Sequence, residues 1–157
     1  MSHELERTCT FNELNDIVLA YCGHEYQPGL VLQPTAADHD GVTASLKFRT
    51  LGDWWLTLPF GIDADALTNF LHALKLLDRE LAGVAILAAG DDDRLTYSIQ
   101  NRGRGILKVE GEWFALVTPP TPEESDVLPG IRCTFTGYEC EQSYLPGIIS
   151  QLSELVR

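Results

Sequence analysis

Two hydrophobic periods alternate along the chain. Between Asp63 and Gly83 the large apolar residues fall at Leu67, Phe70, Leu71, Leu74, Leu77 and Leu81, spacings of three and four that line one face of a helix. Asp63 is a good N-cap, Asp65 puts negative charge in the first turn, and Gly83 suits the C-terminus. Asn69, His72, Lys75, Asp78 and Arg79 take the other face. The spacing predicts a helix over about 63–82, about 30 Å long, laid across an apolar sheet. Leu145, Ile148, Ile149, Leu152, Leu155 and Val156 repeat the pattern. They predict a terminal helix over about 143–156, capped by Ser143 with Pro146 in its first turn.

The remaining pattern has period two. Val42, Ala44, Leu46 and Phe48 alternate with Thr43, Ser45, Lys47 and Arg49, which predicts a half-buried strand over Val42–Thr50. Trp54–Phe60 returns after a turn at Leu51–Asp53, and its two adjacent tryptophans point to opposite faces. One of Trp54 and Trp55 then enters the core, and the other is a candidate binding anchor. Further strands are predicted over Asp16–Gly23, a brief Leu30–Leu32, Gly83–Ala89, Arg94–Gln100, Ile106–Glu110, Glu112–Val117 and Gly130–Tyr138. Residues 7–11 fit either a short strand or a helical turn. The polar stretch at Pro34–Gly41 and the proline-rich Thr118–Pro129 read as loops. The prediction is a single α+β domain over 1–157. It is mostly an antiparallel meander, with one amphipathic helix inserted midway and one at the end.

The 157 residues suffice to bury a core. No stretch approaches the ~18 uninterrupted apolar positions of a membrane span, and the polar start MSHELERTCTFNELND has no secretory h-region. A soluble, cytoplasmic protein is expected. With 23 acids against 11 bases the net charge is −12. That sign repels phosphate backbones, which disfavours nucleic-acid binding, and draws in a basic partner.

Motifs of catalysis are absent from the sequence. There is no G-x-S-x-G elbow, no H-E-x-x-H and no phosphate-binding loop, and NRGRGI is a hairpin turn rather than a dinucleotide fingerprint. His3, His24, His39 and His72 are scattered, so no metal site and no cofactor are predicted. Cys9, Cys22, Cys133 and Cys140 lack C-x-x-C spacing and read as structural thiols. Cys140, between Glu139 and Glu141, should have a raised pKa. The carboxylates crowd instead into turns: Asp91, Asp92 and Asp93; Glu123, Glu124 and Asp126; Glu139 and Glu141. Such crowding suits an electrostatic docking patch rather than an acid–base pair, which needs one carboxyl buried.

From Leu58 onward the order of motifs resembles the WapI-like immunity proteins of bacterial polymorphic toxin systems. The residues that carry the likeness are Leu58-Pro59-Phe60, the L-x-x-F-x-x-x-L-x-x-L helix leading to Glu80-Leu81-Ala82-Gly83-Val84-Ala85-Ile86-Leu87, and Leu95–Ile99. Arg104–Gly111 (RGILKVEG) and the closing Glu141-Gln142-Ser143-Tyr144-Leu145 follow in order. The resemblance implies a non-catalytic cytosolic protein that binds and neutralises a cognate toxin domain delivered by contact-dependent, type VI or Rhs-type systems. The expected contacts are Asp91, Asp92, Asp93, Glu123, Glu124 and Asp126, with Glu139 and Glu141 behind them and one of Trp54 or Trp55 as anchor. The alternative is a small enzyme or ligand-binding module with a pocket between sheet and helix near Cys22, His24 and Tyr97.

Overall fold

The computed structural model describes residues 16–22, 27–49, 55–90, 93–116 and 130–156. In chain order these form β1 (Ile17–Cys22), β2 (Gln27–Asp38), β3 (Gly41–Arg49), β4 (Trp55–Asp63) and α1 (Ala64–Glu80). Then come β5 (Val84–Ala89), β6 (Asp93–Asn101), β7 (Ile106–Leu116), β8 (Gly130–Glu141), a 3-10 turn (Gln142–Tyr144) and α2 (Leu145–Glu154). The eight strands make one antiparallel sheet in the order β4-β3-β2-β1-β8-β7-β6-β5. It is two four-stranded meanders joined where β1 meets β8 at Tyr21 and Glu139, and α1 links the two outermost strands.

The sheet is rolled, not flat. Five strand spacings separate β4 from β7 along the hydrogen-bonding direction, about 24 Å in a flat sheet. Yet the Trp113 indole of β7 donates to the Pro59 carbonyl of β4 at 2.9 Å. Likewise the rings of Phe48 of β3 and Phe135 of β8 meet, tilted by 53°, with centroids 4.8 Å apart. The concave face therefore closes on itself around the helices. Leu46, Phe60, Leu95, Tyr97 and Val109 from the strands meet Leu67, Phe70, Leu74 and Leu77 of α1, with Leu145, Ile148 and Leu152 of α2 beside them.

The predicted helix forms within its bounds, and its start is as read: the Asp63 carboxylate accepts from Ala66 N at 2.7 Å. Its end differs. Leu81, expected on the apolar face, is itself the left-handed C-cap (φ 57°) and stands 60% exposed, because the chain leaves the helix axis two residues before Gly83. Ser143 is not the cap of α2. That helix begins at Leu145 after the 3-10 turn, and the Ser143 hydroxyl bonds the Glu141 carboxylate instead.

Two strands are longer than their patterns implied. The expected Pro34–Gly41 loop shrinks to a turn, because β2 continues through Pro34 to Asp38. Pairing with β1 stops at Leu32, and the β2–β3 register shifts between Pro34 and Ala36. The proline thus sits at a bulge flanked by a partner on one side only. Ile106–Glu110 and Glu112–Val117, expected as two strands, are the single strand β7 through Leu116. A bulge replaces the break: Val109 pairs with Tyr138 and Gly111 with Phe135, so β8 spends an extra residue at Gly137, whose φ is +88°. The bulge restores the phase, keeping Phe135 and Cys140 both inward. Ile131, expected on that same side, is 55% exposed at the end of the strand. Residues 7–11 and the whole proline-rich stretch, 118–129, lie outside the described residues.

Candidate functional site: an acidic cleft at one end of the sheet

The rolled sheet brings three chain segments together at one end. The β2–β3 turn is shaped by Asp38, whose carboxylate accepts from Asp40 N at 2.8 Å and Gly41 N at 3.2 Å, an Asx turn. Gly41 is required there, since a side chain would strike the backbone of Ile62 and Asp63 on β4. The Ala64 amide donates to the Asp40 carbonyl at 2.9 Å, which ties the start of α1 to this turn. Gly90, just after β5, and Asp93, at the start of β6, complete the rim.

Between them lies an open concavity of about 450 Å³ lined by four carboxylates, Asp38, Asp40, Asp63 and Asp93. No lysine or arginine is among its described lining residues. His39, beside it, contacts the Asp40 carboxylate at 3.3 Å, both side chains being almost fully exposed. Ligand atoms of Asp38, His39 and Asp40 lie within 4.8 Å of one another on this turn. The arrangement concentrates negative potential in a recess, where field lines are focused and a cationic group is favoured. The carboxylates on the outer face of the second meander are placed differently: Glu110 pairs with Lys108 at 3.2 Å and Glu112 with Arg132 at 3.5 Å.

Of the residues expected to bind a partner, Asp93 lies on the cleft. Asp91, Asp92, Glu123, Glu124, Asp126 and Trp54 fall outside the described residues. Glu139 and Glu141 are exposed on β8 beside the Asn101–Gly105 turn, opposite Lys108 and Ile106. That is the far end of β6 from Asp93, about 27 Å away along the strand, so the structure separates these two acid groups. Trp55, 41% exposed, begins β4 at the end away from the cleft, and the Arg49 guanidinium lies 4.9 Å from its ring centroid. The cleft residues missing from the sequence reading are Asp38, Asp40 and Asp63. The signal was present in AADHDG and in the helix cap, but their meeting with Asp93 depends on the roll of the sheet.

The space between sheet and helices is filled. Leu19, Leu46, Phe70, Tyr97 and Leu152 are among the residues around a gap of about 10 Å³, roughly the room one water needs. Tyr97 is buried there, edge-on to Phe70 with centroids 5.7 Å apart, and burial raises its pKa. His24 and the Cys22 side chain lie outside the described residues. Cys140 is buried, and its thiol is pushed up to about 12, by burial first and by the Glu141 carboxylate second. Such a thiol stays protonated and is not a nucleophile at neutral pH. None of the described helices is long and apolar enough to cross a membrane. In comparisons with protein families, with curated proteins and with solved structures, nothing matched the chain.

Proposed function

We propose that this protein is an immunity protein, which neutralises a cognate bacterial toxin domain by direct contact and presents the acidic cleft to a basic surface of that toxin. The observation that carries the reading is the cleft itself: four carboxylates around an open recess with no lysine or arginine on its described walls. The net charge of −12 supports it, because complementary charge speeds encounter and selects the partner. So does the closed interior, whose gap of about 10 Å³ holds no substrate. The motif order from Leu58 onward agrees. In this reading a lysine or arginine of the toxin enters the recess between the β2–β3 turn and the start of β6.

The test uses a toxin-like domain encoded next to this chain, expressed in cells with and without it. Survival restored by the protein, and lost when Asp40 and Asp93 are both changed to lysine, is the expected result. Glu139→Lys with Glu141→Lys should keep the protection. Protection that survives the cleft reversal would move the contact elsewhere, and a failure to protect at all would overturn the immunity reading. The association rate with the purified toxin should also fall steeply with added salt.

A further inference from the structure

At the cleft end of the sheet, Asp93, Ala115 and Ile131 stand in direct register across β6, β7 and β8. Paired residues share a face, and the neighbouring row two residues further in is Leu95, Trp113 and Cys133. Leu95 and Trp113 are buried and Cys133 packs against the core, so the row of Asp93 also lies on the concave face. Along that row the surface turns from carboxylate to apolar. Asp93 lines the cleft, Ala115 packs against the core, and Ile131 is 55% exposed. Two strand spacings put Ile131 about 10 Å from Asp93. Among the described strands it is the exposed large apolar side chain that shares both the concave face and the cleft's end. Leu116 is at that end but on the opposite face, Val84 and Ile86 project from the outer face, and Trp55, Leu56 and Ile106 lie at the other end.

The nearest cations turn away from this face. Arg94 and Arg132, which follow Asp93 and Ile131, alternate to the outer face. There their guanidiniums lie 4.8 and 5.3 Å from the Phe114 ring centroid, and Arg132 also meets the Glu112 carboxylate at 3.5 Å. His39, on the β2–β3 turn, contacts Asp40. We infer that Ile131 is the apolar anchor of the partner contact. It takes an apolar side chain of the same basic surface whose lysine or arginine enters the cleft, the two lying about 10 Å apart on the partner. The assignment rests on the toxin-binding reading. Four carboxylates around an open recess attract and select a basic partner, but exposed charge chiefly sets the encounter rate. Slow dissociation needs apolar area removed from water beside the charged contact, and Ile131 supplies it there.

Biolayer interferometry of the full-length protein with the toxin-like domain encoded next to this chain, at low and high salt, tests the assignment. Ile131→Ala should raise koff about tenfold and leave kon and its salt dependence as in wild type. Ile131→Asp should raise koff as well, yet also raise kon, because the added carboxylate joins the field of the cleft. Asp40→Lys with Asp93→Lys should instead lower kon and its salt dependence. Leu116→Ala, on the opposite face, should change neither rate. A folding defect would lower the binding amplitude and not koff, so it cannot imitate the expected result. A wild-type koff in Ile131→Ala, beside a cleft reversal that still slows association, would overturn the anchor and leave the toxin reading standing. An equal rise of koff in Leu116→Ala would do the same. A domain that the wild type does not bind, or binds regardless of the cleft reversal, would overturn both.

Discussion

Three glycine-to-alanine substitutions, identical in chemistry, should give three different stabilities. Gly111 lies on β7 opposite the bulge of β8, where an added Cβ would strike the Thr96 carbonyl, come 2.6 Å from Phe135 Cζ and lie 3.0 Å from Tyr97 Cα. The Phe135 ring is wedged among Phe48, Tyr97 and Tyr138, and the Thr96 carbonyl belongs to the adjoining strand β6. Neither can retreat without opening the core or the β6–β7 ladder. Overpacking of this kind costs 1–3 kcal/mol and sometimes more, and with backbone as the obstacle Gly111→Ala should cost about 3 kcal/mol. Gly103, at the β6–β7 turn, faces open space but holds φ +90°. Gly103→Ala should cost about 1 kcal/mol from the left-handed backbone alone. Gly61, on β4, has neither a positive φ nor any atom near its absent side chain. Gly61→Ala should be neutral or stabilise by about 0.5 kcal/mol through the unfolded chain. Urea unfolding of the three variants beside wild type reads the order directly, and the loss at Gly111 should appear as a melting temperature lower by about 9 °C. If Gly111→Ala unfolded within 0.5 kcal/mol of Gly61→Ala, the close packing of Phe135 on Gly111 would be refuted.

Other outcomes follow from single contacts. Trp113→Phe removes the donor to the Pro59 carbonyl and should cost about 1–2 kcal/mol, with faster amide exchange on β4, whereas unchanged exchange would mean the roll does not depend on that bond. Asp63→Ala should cost about 1 kcal/mol by uncapping α1, and Asp63→Asn should recover most of it in thermal melts. The Cys140 thiol is raised from its ordinary 9.0 to about 12, so the folded state holds its proton more tightly than the unfolded chain does. Its contribution to stability is full below pH 9 and is lost as pH rises toward 12. Denaturant midpoints should start to fall above pH 9, and Cys140→Ala should flatten the decline between pH 9 and 10, before tyrosines begin to lose protons in the unfolded chain. An identical slope in the variant would assign the effect elsewhere.

Much of this molecule is determined by local sequence. The three-and-four spacing of Leu67 to Leu77 can be satisfied only by a helix with one buried face, and Asp63 begins it through a bond from the amide three residues on. The alternation at Val42–Phe48 and Leu95–Ile99 likewise fixes which side chains turn inward, because the pleat has period two whatever lies beside it. What the pattern could not determine is anything that depends on a neighbour distant in the chain. Pro34 reads as a loop residue until the pairing of β2 with β1 is seen to stop at Leu32. Gly111 reads as a break until Phe135, from a strand on the far side of the Pro-rich segment, is seen to need the space. The acidic cleft is the strongest case. Asp38, Asp40, Asp63 and Asp93 look like two turns and a helix cap in the sequence, and only the roll of the sheet, which carries β4 across toward β6, makes them one site. Glu139 and Glu141 show the converse: equally acidic in the sequence, they are held at the other end of the sheet by the β7–β8 register. Local pattern sets the elements and their inner faces because those rest on contacts a few residues apart. Where the carboxylates meet is decided by strand order and curvature, which depend on the whole sheet at once.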